Sequence, residues 1–129
     1  MSGHEQNKYK LSKCLEIQKG DANDMKNLEL VQKHAKSLCL IFVSDTCGHC
    51  RNMAKEIEKF IAENDPTKCF VVLIVANKMT AKFFQEHGVQ GVPDIRHHHT
   101  NSSGEKEHKL FQGERTAEGL HKFVLGAKQ

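Results

Sequence analysis

Cys47-Gly48-His49-Cys50 brings two sulfurs together at a spacing suited to nucleophilic exchange. The working species in such chemistry is a thiolate, and a second thiol three residues on reaches the first across one helical turn. The motif follows an apolar run, Leu38 to Val43, and opens an amphipathic stretch, Cys50 to Ala62. A helix starting there would turn its unpaired N–H groups and positive dipole end toward the first sulfur. Cys47, at the helix mouth, is therefore expected to attack, and Cys50, one turn in and more buried, to resolve the mixed disulfide. His49 is expected to add partial positive charge, favouring the thiolate and making the disulfide more oxidising. Structural zinc is the competing use of two such cysteines. It needs a second C-x-x-C or a following H-x₃₋₅-H in the right context, so no metal site is assigned.

The chain has 129 residues and five cysteines, an odd number and too few for a stapled mini-domain. Cys14, Cys39 and Cys69 sit among apolar neighbours and read as core residues. With 38% hydrophobic residues and only 9 Gly and 2 Pro, the composition fits one folded domain. The net charge of +3 is spread along the sequence, so no nucleic-acid partner is expected. The longest apolar run, Cys69 to Ala76, is too short for a membrane span, and no membrane association is expected. Residues 1–10 are polar and lack the apolar stretch of a secretory signal. The resulting expectation is cytoplasmic, with the ER lumen or periplasm as the alternative for a trimmed mature chain.

The elements that must position the cysteines follow from periodicity. Residues 1–8 read as a flexible tail and 9–129 as one domain. Cys14 to Gln18 is a short strand, and Asp21 to Lys36 a helix with Met25, Leu28, Val31 and Ala35 on one face. Leu38–Val43 and Cys69–Val75 are continuous apolar strands, as expected for a sheet covered on both sides. Thr80 to His87 is a helix stopped by Gly88. Asp94–Thr100 and Glu105–Phe111 form a hairpin, and Thr116 caps a last helix with Leu120, Phe123 and Val124 inside. The order β-α-β-α-β-α-β-β-α predicts an α/β fold with a central mixed sheet of four to five strands flanked by about four helices.

These residues resemble the thioredoxin fold, and within it the protein disulfide isomerase branch. C-G-H-C is that branch's usual tetrapeptide, and Gly91-Val92-Pro93 stands where the family has a cis-proline loop. Phe111-Gln112-Gly113-Glu114-Arg115, with Leu120 and Phe123, looks like the isomerase-type end of the last strand and final helix. The resemblance implies a thiol–disulfide oxidoreductase that needs no cofactor, with Cys47 and Cys50 as its redox-active pair. Thr46, Val92, Pro93 and Gly113 would border the substrate, which could pair with the Val92 backbone as an added strand. Arg115 would approach Cys50 and lower its pKa. Implied partners are proteins or peptides bearing disulfides or dithiols, and a reductase, glutathione or an oxidase upstream. A monomer is expected. Two alternatives are a glutaredoxin-like enzyme, disfavoured by Asp94-Ile95 where Gly-Gly is usual, and a non-catalytic peptide-binding module.

The sequence departs from this family in places. A buried acid six residues before the first cysteine is replaced by Ile41, and its companion lysine is matched to Ile74. Losing both members of such a pair avoids stranding one charge. Asp45 is a surrogate candidate that should point to solvent. The aromatic normally preceding the first cysteine is Thr46. Ile95-Arg96-His97-His98-His99 is polar where a central strand should be apolar. A four-residue loop would pair Thr100 with Glu105 and His97 with His108, with His99 on the face of His97, although no metal site is expected there.

Overall fold

A computed structural model describes residues 14–126. The tail expected at 1–8 lies outside these residues, as do 9–13 and 127–129 of the expected domain. Five strands and four helices alternate as β1 (Cys14–Ile17), α1 (Ala22–His34), β2 (Ser37–Val43), α2 (Gly48–Glu63), β3 (Phe70–Val75), α3 (Ala81–Glu86), β4 (Asp94–Thr100), β5 (Lys106–Leu110) and α4 (Ala117–Gly126). They form one mixed sheet in the order β1-β3-β2-β4-β5. β1, β3 and β2 run parallel, and β4 and β5 are antiparallel to their neighbours.

β2 and β3 have no polar face because both faces of the sheet are covered. Alternate side chains along β2 feed two cores. Cys39 and Ile41 pack with Met53, Ile57 and Phe60 of α2 and Leu120 and Val124 of α4. Leu38, Leu40 and Phe42 pack with Leu28 of α1 and Phe83 of α3. The helix ends follow local chemistry. Asp21 caps α1 by accepting the Asp24 N–H at 2.9 Å. α2 stops at Asn64, whose side-chain amide donates to the Cys69 carbonyl at 2.7 Å. Gly88, just past α3, has φ 66°, the left-handed conformation that favours glycine.

The expected hairpin register is corrected by one residue. Thr100 pairs with Lys106 and His98 with His108, while His97 lies opposite Lys109. Gly104, at φ 83°, takes a left-handed bulge position. Asn101 then faces Glu105, accepting the Gly104 N–H at 3.0 Å and donating its own N–H to the Glu105 carbonyl at 2.8 Å. A slip of one residue exchanges every side chain between faces. The His98 and His108 rings consequently stack at 4.1 Å on one side. His97 turns into the core on the other and shares a 2.7 Å hydrogen bond with the Ser37 hydroxyl.

The polar strand β4 coexists with burial through internal hydrogen bonds of His97, Arg96 and Asp94. Besides the Ser37–His97 bond, Arg96 grips Asp94 at 2.7 and 3.1 Å and also bonds the His87 carbonyl. β5, exposed along its length and rich in charge, forms an edge suited to water.

Candidate functional site

β2 delivers the chain to the C-terminal end of the sheet, where Ser44 to Thr46 turn it into α2. The Ser44 carbonyl accepts the Cys47 N–H at 3.2 Å, and the Ser44 and Thr46 hydroxyls lie 3.1 Å apart. Cys47 is the N-cap of α2, in extended conformation. It makes no side-chain cap bond, and the first turn carries no acidic residue. The free N–H groups and dipole of α2 are therefore directed at the sulfur without a competing carboxylate.

The two cysteines differ in environment. Cys47 is half-buried, whereas Cys50 is buried with its Sγ taking the Ser44 N–H at 3.4 Å. The Cys47 pKa is lowered, chiefly by the Cys50 backbone N–H, then by the Cys50 thiol, the His49 backbone N–H and the charge of Arg115. The Cys50 pKa is raised because burial outweighs the Ser44 N–H and the charge of Arg115. The His49 backbone N–H contributes to this lowering, and its imidazole is exposed. Gly48 is exposed, with open space where a Cβ would stand.

The loop before β4 closes the other side. The Val92–Pro93 peptide is cis, and the Cys47 thiol donates to the Val92 carbonyl at 3.5 Å. Gly113 is exposed and faces Phe111, whose ring lies 3.1 Å from where a Cβ would be. Arg115 is exposed, and its charge acts on both cysteines. The start of α4 is tied to α2, since the Ala117 N–H donates to the Glu56 carboxylate at 2.8 Å.

The core packed against α2 is apolar. Ile41 is fully buried and pairs with Leu73 on the same face. The expected match of Ile74 to the missing lysine is corrected, because Ile74 points into the opposite core. Side chains alternate along β3, so a shift of one position changes the face. Asp45 is exposed, as expected. Cys14, Cys39 and Cys69 are buried, with Cys14 pushed up to about 12, first by burial and then by Glu16. Burial likewise raises Cys39 well above the ordinary thiol range. Among the described residues, no group of three or more metal-ligating side chains is placed to hold an ion.

Sequence reasoning missed Ser44 and Glu56. Ser44 contributes a backbone N–H that any residue could supply. Glu56 acts on a residue 61 positions away, so neither carries a local sequence signature.

Residues 20–125 match the family model described as Thioredoxin. Over 98 residues the chain is 33% identical to a probable protein disulfide-isomerase A6 of Medicago sativa, covering 76% of this chain and 26% of that protein. It is 32% identical over 83 residues to protein disulfide isomerase-like 2-1 of Oryza sativa subsp. japonica, covering 64% of this chain and 22% of that protein. The chain thus spans about a quarter of the length of these relatives. The first thioredoxin domain of mouse protein disulfide-isomerase A4 superposes with a TM-score of 0.61 at 26% identity, over 84% of this chain and 73% of that one. The J-Trx1 fragment of ERdj5 shares the fold at a TM-score of 0.69 and 15% identity, over 89% of this chain and 51% of that one. A sheet end carrying two unlike thiols at a helix mouth agrees with these matches, and the chain belongs to the thioredoxin family, with protein disulfide isomerases among its relatives.

Proposed function

We propose that this domain is a thiol–disulfide oxidoreductase acting on protein or peptide substrates. The observation that carries the reading is the asymmetry of the two thiols. Cys47 has a lowered pKa and lies at the open mouth of α2 beside the Val92 carbonyl, while Cys50 is buried with a raised pKa. In the reducing direction the Cys47 thiolate attacks a substrate disulfide, forming a mixed disulfide and expelling one substrate thiolate. Cys50, after losing its proton, attacks Cys47 Sγ, forms the Cys47–Cys50 disulfide and releases the second substrate sulfur. Two electrons pass to the substrate. The reverse sequence oxidises a substrate dithiol. Val92, Pro93, Thr46 and Gly113 border the approach to Cys47, and Arg115 supplies positive charge to both sulfurs. The cycle needs no diffusible cofactor, only an upstream redox partner.

The isomerase relatives favour an oxidising compartment over the cytoplasmic expectation, since disulfides persist in such compartments. The test is the reduction potential of the Cys47–Cys50 pair, with insulin reduction and refolding of scrambled ribonuclease assayed alongside. A potential near about −270 mV marks a reductase and one near about −180 mV an oxidase or isomerase. Absence of a reversible two-electron couple, with no turnover in either assay, overturns the proposal.

A further inference from the structure

A buried thiol that must become a nucleophile needs somewhere to send its proton. The core packed against α2, with Ile41, Leu73 and Ile57 in it, is built of hydrophobic side chains that accept no proton. Beside Cys50, however, a cleft of about 360 Å³ opens between α2 and the edge of the sheet, and Glu16 of β1 lines it together with Cys50. The strand register explains the placement. Ile41 pairs with Leu73, and Leu73 with Glu16, so the three form one row across β2, β3 and β1. Glu16 follows Leu15, which faces the α1 side, and so shares the α2 side with Cys14. At about 4.8 Å per strand, its backbone stands about 10 Å from that of Ile41, within range of a long side chain reaching into the cleft. The cleft has room for several waters.

We propose that Glu16 is the proton acceptor for the Cys50 thiol, through water in this cleft. The inference rests on the exchange chemistry proposed above. In the resolving step the Cys50 S–H gives its proton through water to the Glu16 carboxylate. The Cys50 sulfur then bonds to Cys47 Sγ, and the bond between Cys47 and the substrate sulfur breaks with its electron pair going to the substrate. The proton returns from Glu16 to solvent or to the departing thiolate. The other charged groups lining the cleft are Asp45 from the loop after β2 and Arg51 and Glu58 from α2. Arg115 acts on Cys50 from the α4 side. Asp45 and Glu58 are exposed, whereas Glu16 is half-buried on β1.

The experiment uses the full chain and 5,5′-dithiobis(2-nitrobenzoate). Attack by Cys47 releases a first coloured thiolate, and resolution by Cys50 releases a second, so stopped-flow absorbance separates the two steps. E16Q is expected to leave the first phase unchanged and slow the second by about tenfold, below the 10²–10⁴ of a directly bonded acid–base group. It is also expected to remove the acid limb of the second phase's pH profile. E16D should recover part of the rate, while D45N and E58Q should match the parent. An E16Q second phase equal to the parent's overturns the assignment to Glu16, as does equal slowing by D45N or E58Q. Absence of any second phase in the parent protein overturns instead the exchange reading on which it rests.

Discussion

The Cys47 sulfur lies 3.5 Å from the carbonyl oxygen of Val92, a residue 45 positions further along the chain. The contact joins the helix mouth to the loop entering β4, so this sulfur sits between two backbone segments rather than on an isolated turn. Its ionisation is set mainly by donors of α2's first turn, with the charge of Arg115 adding to them.

Iodoacetamide should therefore modify Cys47 ahead of the other cysteines, with a rate that follows its thiolate fraction. Cys50→Ala removes one donor and Arg115→Gln one positive charge. Each should raise the Cys47 pKa and slow alkylation at pH 7 several-fold, read by mass spectrometry and by thiolate absorbance at 240 nm. Cys50→Ser keeps a hydroxyl donor and should shift Cys47 less than Cys50→Ala does.

His98 gives the fold an acid-sensitive point. Burial, then the neighbouring His108, His87, Arg96 and His97, lowers its pKa from 6.5 to about 4. Between these values the unfolded chain binds a proton that the folded chain does not, so stability is full above about 6.5 and falls as the pH drops toward 4. The urea midpoint should decline over that window. His98→Asn should flatten the decline without changing the midpoint at pH 8 by a comparable amount.

Glu56→Ala should leave the Ala117 N–H without its carboxylate and loosen the docking of α4 on α2. Loss of such a cap costs about 1 kcal/mol. Equilibrium urea unfolding at neutral pH is the measurement, and Glu56→Gln, which keeps an acceptor oxygen, should cost less.

Gly119 lies in the first turn of α4, where a Cβ would collide with the backbone carbonyl of Glu114. Gly119→Ala must push that segment outward, at about 1–3 kcal/mol by analogy with overpacked cores. Since Arg115 follows directly, the variant should also raise the Cys47 pKa. Reading stability and thiol titration on one protein checks both consequences.

The central elements were legible because their signals are local. Leu38–Val43 and Cys69–Val75 are apolar without interruption, and the face of α2 repeats at helical spacing. Cys47 and Cys50 stand out by type and spacing alone. What escaped depends on long-range pairing. The hairpin register turned on Gly104 taking a left-handed bulge, which moved His97 from an expected cross-strand pair into the core. The partner that makes this burial tolerable, Ser37, is 60 residues away. Matching the missing lysine to Ile74 failed by one position for a related reason: β3 is apolar on both faces, so its composition does not say which residues face Cys50. The shared row of Ile41, Leu73 and Glu16 became visible only with the register of three strands in hand.

The burial of Cys14, Cys39 and Cys69 also bears on how this chain survives oxidants. While the sheet is intact, burial keeps Cys14 and Cys39 protonated and all three out of reach of reagents, which leaves Cys47 and Cys50 as the thiols open to chemistry. Once the chain opens, five thiols become chemically alike, with pKa values near about 8.5, and ten different pairings can cross-link it. Refolding in the presence of a disulfide reagent then becomes a race between sheet closure and scrambling. The fold is thus a shield against self-inflicted oxidation as well as a scaffold for Cys47 and Cys50.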